Sequence, residues 1–435
     1  MTRVISAPSS LLPRKVADGV LCFSQYSKPA NDGFGLFAKS LPICIRRKGF
    51  SPDSVAWDFT TIALSVAAAD NAIRRETNPD GWTREIALDV HVCEPLLWSS
   101  VVGKIEKMLR FLTGDIWHLT FYDGGYFPDR KPLERTVNKY VEAYSNADCI
   151  SLLSGGMDSL IGCIDIVHGD GLNPVFVSHT VNSNSEQQRI FARKIKKDAL
   201  SIQLNQTIHH PHSISKSETT TRGRSIVFFA FAALAACAIR RNGIEDVPIY
   251  VSENGFISLN VGLNPGRISS FSTKTTHPIY MQLLSEIWAK VGIRCKLILP
   301  YRFKTKGEMI TECKNQALLK SLIGESTSCS RYSRHGRMHC GRCVPCLVRA
   351  AAFQRAGLGD KTVYKFQGAD IRRTNDADDV GAVAGACLRS HEPYFDSTIV
   401  GEFAFATQAE RADYIGVFKR GLKEVEQYLH AKKIL

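Results

Sequence analysis

"CISLLSGGMDSLIG", residues 149–162, joins an apolar run to a small, polar, glycine-rich turn, and a new apolar-periodic segment starts directly after it. "CISLL" reads as a short, continuously apolar strand of the kind buried in a parallel sheet, and "SLIGCIDIVHG" as the helix that follows. Gly155 and Gly156 allow positive φ and close approach of the backbone to a ligand. Ser154 and Ser159 offer hydroxyl donors. The helix beginning near Asp158 aims free N–H groups and its positive dipole end at the turn. Together these suit a phosphate or pyrophosphate. Asp158 would repel a bare phosphate, so either a magnesium ion accompanies the nucleotide or Asp158 caps the helix. A Walker-type loop would place a lysine beside a hydroxyl to hold β- and γ-phosphates, and that pattern is absent.

The neighbouring sequence repeats the strand–helix alternation. "PVFVSHT", "IQLNQTI" and "PIYVSEN" read as strands, with "SEQQRIFARKIKKDA" and "SIVFFAFAALAACAIRRNG" as intervening helices. This predicts α/β architecture with a doubly wound parallel sheet, whose ligands sit beyond the C-terminal strand ends. The expected domains are 1–145, 146–325 and 326–435. The first is expected to be α+β, from the helical spacing of "TIALSVAAADNAIRR" and "LWSSVVGKIEKMLRFLTG" and the alternating strands "EIALDVHV" and "DIWHLTFYDGG". It carries no metal or nucleophile motif and reads as a scaffold or docking domain. The last contains "CLVRAAAFQRAG", an aspartate-rich polar stretch and a final helix "FKRGLKEVEQYLHAKK".

Composition narrows the class. The chain has 435 residues, 44% apolar and 22% charged, as in a globular protein with a sizeable core. The longest apolar stretch, Ile226 to Ile239, falls short of a membrane span and reads as a buried helix. The N-terminus shows no signal-peptide pattern, and the expected location is cytoplasmic. The net charge of +13 favours anionic partners without choosing among nucleotide, nucleic acid and acidic protein. "KIKK" (Lys194–Lys197) reads as a solvated helix face.

Of 13 cysteines, four crowd together in "CSRYSRHGRMHCGRCVPC". Cys329, Cys340, Cys343 and Cys346 have the spacing of a closed tetrahedral zinc site, with an iron–sulfur cluster as the other metal reading. A closed four-thiolate site is structural. His335 and His339 fall inside the loop but are surplus to the ligand set. The remaining cysteines, scattered through apolar segments, behave as small hydrophobes. His209, His210 and His212 ("HHPH") read as a polar loop at a sheet edge, because no carboxylates accompany them.

"SGGMDS" resembles the pyrophosphate-binding loop of adenylating PP-loop enzymes, which cleave ATP between its α- and β-phosphates. With "RGRSIVFFAFAALAA", "PYRFKTKGEM" and "CGRCVPCLVRA", residues 147–360 resemble the QueC, or 7-cyano-7-deazaguanine synthase, family. That resemblance implies an adenine nucleotide α-hydrolase-like fold with a zinc knuckle, and ATP, Mg2+ and Zn2+ as cofactors. It implies adenylation of a 7-carboxy-7-deazaguanine carboxylate, followed by amide and then nitrile formation. Ser154, Gly155, Gly156, Asp158 and Ser159 would form the pyrophosphate loop. Arg224, beside Ser225 in a GRN-type stretch, would face phosphate or the substrate carboxylate. Lys306, with Glu308 matching the later acid, would lie near the α-phosphate, and Glu253 and Asn254 would face substrate.

Two features depart from ordinary QueC sequences: the segment before residue 140, and "FISLNVGLNPGRISSFSTKTTHP" in place of a shorter substrate loop. The longer architecture looks like the QueC-like proteins of bacterial antiphage systems, QatC of the Qat system and the type IV CBASS component. For these the implied chemistry joins a deazaguanine to the N-terminal amine of a partner protein. Two other readings stand beside it. One is a tRNA-modifying PP-loop enzyme, which would need a reactive cysteine such as Cys163. The other is a catalytically silent, nucleotide-binding defence subunit.

Overall fold

The computed structural model describes residues 1–129, 137–180, 185–240, 246–263, 274–367 and 379–435. Two sheets dominate. The strands in chain order are β1 (Thr2–Ala7), β2 (Val20–Gln25), β3 (Gly35–Phe37), β4 (Glu85–His91), β5 (Ile116–Tyr122), β6 (Cys149–Leu152), β7 (Pro174–His179), β8 (Ser201–Leu204), β9 (Ile208–His209), β10 (Val247–Tyr250) and β11 (Cys295–Ile298).

The second sheet runs β11-β10-β6-β7-β8, parallel throughout, with Ile150 opposite both Val175 and Ile249. From β6 the chain winds outward through β7 and β8, then returns to β10 on the other side. The order therefore reverses between β6 and β10, the switch point at which such sheets bind ligands. β6 and the core of β7 are buried along their length, which explains their unbroken apolar run.

The first sheet runs β5-β4-β1-β2-β3-β9. All its pairings are parallel except β3–β9. This corrects the α+β expectation for the N-terminal part. The long helix Ser54–Ala72 is a crossover between β3 and β4, and a crossover of that length returns the next strand in parallel. Only β5, at the edge, shows clean alternation of buried and exposed residues.

"IQLNQTI" also divides between sheets. β8 ends at Leu204, the chain turns, and Ile208–His209 pairs antiparallel with β3. The histidines after it thus lie at a sheet edge, as expected. The helices Ser54–Ala72 and Arg224–Arg240 pack on each other between the sheets. Both are apolar nearly all round, as helices walled in on every side must be. One core therefore runs from Val4 and Leu88 through Leu64 and Phe231 to Ile150 and Ile249.

A smaller core joins Phe256 to the helices Val344–Arg355, Val380–Arg389 and Gln408–Ala431. The last begins ten residues before the predicted "FKRGLKEV" start, where Thr407 caps it by accepting from Glu410 N. No helix among the described residues is long and apolar enough to cross a membrane.

Candidate active site

β6 delivers the chain to Leu153, and Gly155 turns it with φ of +87°, a conformation that favours glycine. The helix Met157–His168 starts at Gly156, whose side provides no capping oxygen. Asp158 is therefore not the cap, which corrects one of its two expected roles. The first N–H groups of the helix face the turn. Ser154 Oγ lies 3.0 Å from Ser159 Oγ and accepts from Gly156 N at 3.2 Å, so the two hydroxyls brace the loop from within. From below, Gln188 Nε2 donates to Ser154 O at 3.2 Å and Ser178 Oγ to Leu153 O at 2.7 Å.

Asp158 is buried, and both carboxylate oxygens are engaged. Lys306 Nζ donates to Oδ1 at 2.5 Å, while Asn254 Nδ2 donates to Oδ2 at 2.7 Å. The structure thus brings three distant motifs together: "SGGMDS", "SENG" after β10, and "KTKGEM". Each partner is held by local structure. Asn254 caps the short helix Gly255–Leu259 by accepting from Ile257 N at 3.0 Å. Gly255 N donates to Tyr301 O and Lys304 O, and a Cβ there would lie 2.1 Å from Arg302 O. Lys306 opens a helix sealed by a Thr305–Glu308 capping box. Glu424 of the last long helix accepts from Thr305 Oγ1 at 2.5 Å and Gly307 N at 3.3 Å. Glu308 is occupied in the capping box and with Arg420, so its role is structural.

Gly162 explains how Asp158 reaches Asn254. A Cβ at Gly162 would lie 1.9 Å from Ser252 Oγ, so only glycine lets the helix press against the end of β10. Glu253, beside Asn254, is half-buried and accepts from Thr276 Oγ1. Burial raises its pKa, with Asp158's charge adding to the rise and Lys306 opposing it. The hydrogen bond from Thr276 also opposes the rise.

Arg224 makes no hydrogen bond or ion pair with Asp158 or Lys306. It begins the helix Arg224–Arg240 and lines a cavity of about 350 Å³ with His179, Thr180, Asn205, Gln206, Thr207, Thr221 and Asn71. This cavity opens at the C-terminal ends of β7 and β8. Burial, with help from the Arg224 charge, lowers His179 to a pKa of about 3, so its ring is neutral. His179 Nε2 and Gln206 Oε1 have no hydrogen-bond partner among the described residues. Sequence reasoning missed both, although a histidine ending the strand beside the phosphate strand is in the expected place for a ligand.

The four cysteines converge. Their sulfurs all lie within 4.8 Å of one another, and all four side chains are buried. Cys340–Cys346 and Cys343–Cys329 sulfur distances are 3.9 and 3.8 Å. A tetrahedron with metal–sulfur bonds of about 2.3 Å has edges of about 3.8 Å, so the set fits zinc. Gly341 makes the turn at φ of +82°, and Arg342 N and Cys343 N donate to Cys340 Sγ. His339 Nε2 instead accepts from Ser328 N, consistent with its place outside the ligand set. The four cysteines are the metal-competent group among the described residues, and "HHPH" forms none.

The knuckle also touches the phosphate loop, a link the sequence did not reveal. Thr327 N donates to Gly155 O at 3.0 Å. Arg349, fully buried, donates to the Ile323 and Ser326 carbonyls and to the Ser326, Ser328 and Thr362 hydroxyls. "CLVRA" therefore contributes the arginine that shapes the segment leading from the knuckle to the loop.

No protein-family profile matches the chain. Part of it is similar to curated proteins named 7-cyano-7-deazaguanine synthase. The one from Paracoccus denitrificans (strain Pd 1222) is 35% identical over 72 residues, 17% of this chain and 28% of the relative. That from Rhizobium leguminosarum bv. trifolii (strain WSM2304) is 36% identical over 72 residues, with the same shares. That from Agrobacterium fabrum (strain C58 / ATCC 33970) is 33% identical over 101 residues, 23% of this chain and 36% of the relative. The matched regions thus span about a third of those relatives. The similarity supports a QueC-like kinship over part of the chain, and the parallel α/β sheets and four-cysteine cluster fit such a fold.

Proposed function

We propose that this protein is an ATP-dependent carbon–nitrogen ligase that adenylates the carboxylate of 7-carboxy-7-deazaguanine. The observation that carries the reading is the glycine turn at the switch point, backed by the Asp158–Lys306–Asn254 cluster. The partial similarity to 7-cyano-7-deazaguanine synthases supplies the substrate class. The substrate carboxylate oxygen attacks the α-phosphorus of ATP, the bond to the β-phosphate oxygen breaks, and pyrophosphate leaves. An amine then attacks the acyl carbon, AMP departs, and an amide remains. Ser154, Gly155, Gly156 and Ser159 hold the departing pyrophosphate against the helix N-terminus, where its charge is stabilised. Lys306 is shared between Asp158 and the α-phosphate. Arg224 faces a phosphate or carboxylate, and Glu253 and Asn254 face substrate. Magnesium, when bound with the nucleotide, offsets phosphate charge, and zinc in the four-cysteine site is structural.

For the acceptor we propose the N-terminal amine of a partner protein in an antiphage system, as the QatC-like architecture implies, with ammonia and nitrile formation as the other outcome. The tRNA-thiolating reading is disfavoured at Cys163. Burial pushes its thiol up to about 12, whereas a reactive thiolate requires a lowered value. The test is release of AMP and pyrophosphate with 7-carboxy-7-deazaguanine and ammonia or co-expressed partner protein, followed by intact-mass analysis of that partner. The expected result is AMP release that depends on the acid, with mass added to the partner. No AMP with either amine would overturn the ligase reading, and an unmodified partner would overturn conjugation alone.

A further inference from the structure

The cavity lined by Arg224 belongs to both sheets, and the first sheet's helix holds the turn that carries the arginine. Asp70 Oδ2 accepts from Arg222 N at 2.7 Å and Gly223 N at 2.6 Å. A Cβ on Gly223 would crowd Val66 and Asp70, so the turn lies directly on that helix. One step earlier, Asn71 Nδ2 donates to Glu218 O at 3.0 Å, and Glu218 N donates to Asn71 O. Glu218 Oε2 accepts from Arg75 N at 2.8 Å and its Oε1 from Thr220 N at 2.6 Å.

Beneath the turn is a buried charge cluster. Arg84 pairs with Asp70 at 2.5 Å and Asp115 at 2.6 Å, and Arg75 pairs with Asp115 at 2.8 Å. Asp70, Arg84 and Asp115 are all 0% exposed. Breaking so buried a cluster is strongly unfavourable, so the turn rests on a rigid base. Arg224 itself, at the end of this support, has no hydrogen-bond or ion-pair partner among the described residues and stays exposed on the cavity wall, where partial desolvation lowers its pKa. The unsatisfied His179 Nε2 and Gln206 Oε1 lie close by.

We infer that the N-terminal sheet is part of the ligand site. Asp70, Asn71 and Glu218 are positioning residues that aim Arg224 at an anionic oxygen of the bound ligand. The inference rests on the proposed ligase reading for the ligand class, a nucleotide phosphate or a substrate carboxylate. These two sources share one chemistry, and separate probes tell them apart. The function of the first sheet is then to complete the site, whatever else it docks.

The test measures equilibrium binding of two probes to the full chain: magnesium α,β-methylene ATP and 7-carboxy-7-deazaguanine. Arg224→Ala is expected to weaken one of them by roughly tenfold or more, the scale of losing a charged hydrogen bond. Glu218→Gln, a half-buried change away from the cavity wall, is expected to weaken the same probe and spare the other. In the Arg224→Ala background it should have no further effect, because residues acting through one another are non-additive. Glu218→Asp, which keeps the charge but shortens the reach to Arg75 N, is read in the same way if Glu218→Gln lowers the melting temperature enough to interfere. Additive losses, an equal loss for both probes, or unchanged binding in Arg224→Ala or in the positioning variants would overturn the inference while leaving adenylation intact. Wild-type protein that binds neither probe would overturn the inference and the ligase reading together.

Discussion

A carboxylate just past a glycine turn would repel an anion held there unless its charge were matched, and at Asp158 it is matched by Lys306. The pair is buried, so removing one member strands the other. Asp158→Ala is expected to abolish AMP release and to cost about 3–5 kcal/mol of stability, read by urea denaturation. AMP release at the wild-type rate would refute the assignment. His277 offers a second test. It is 7% exposed, between Phe111 and Phe405, and burial together with Lys274 lowers its pKa to about 3. The unfolded chain binds a proton near pH 6.5 and the folded chain does not, so this stability is present above 6.5 and lost as pH falls towards 3. Between pH 7 and 5 His277 alone is expected to contribute a loss of about 2 kcal/mol, and His277→Phe should shrink the total loss by that amount, leaving the part due to other histidines such as His179. Urea midpoints at the two pH values measure this.

At the scale of elements, the helix after β6 depends on one missing side chain. Gly162→Ala would drive the helix off Ser252 and separate Asp158 from Asn254. The expected cost is about 1–3 kcal/mol of stability from overpacking, together with weaker nucleotide binding, measured by denaturation and calorimetry. These elements were unequally legible in the sequence. "CISLLSGGMDS" was readable because a buried strand, a glycine turn and a helix start each leave a local signature. "CGRCVPC" was readable because ligand spacing is local too. The partition of "IQLNQTI" between two sheets was not, since the partner of Ile208 lies at Phe37, far away in the chain. The parallel pairing of β1, β2 and β4 was hidden for the same reason. The GRN-type stretch pointed to Arg224 as facing phosphate or the substrate carboxylate, but its placement in a cavity apart from the Asp158–Lys306 pair is set by tertiary packing that no motif encodes.

For the molecule as a whole, the knuckle and the phosphate loop form one mechanical unit through Thr327 and Gly155. Cys343→Ser is expected to lose about one zinc per chain by elemental analysis. Because the Thr327 segment would loosen, pyrophosphate affinity should fall along with metal content. A metal-free protein with unchanged pyrophosphate binding would show that the two are uncoupled. The two sheets are likewise joined, since the first is completed by β9 from the other side of the phosphate loop.

That last strand has a consequence for synthesis on the ribosome. When residues 1–145 have emerged, β3 is an open edge, with its backbone groups unpaired and a sheet partner not yet made. The edge closes only after His209 has left the exit tunnel, by which time the phosphate loop is already outside. A fragment ending at residue 145 should therefore aggregate where the full chain does not, as light scattering at matched concentration would show. The order of translation thus leaves the N-terminal sheet waiting for the second sheet before either is sealed.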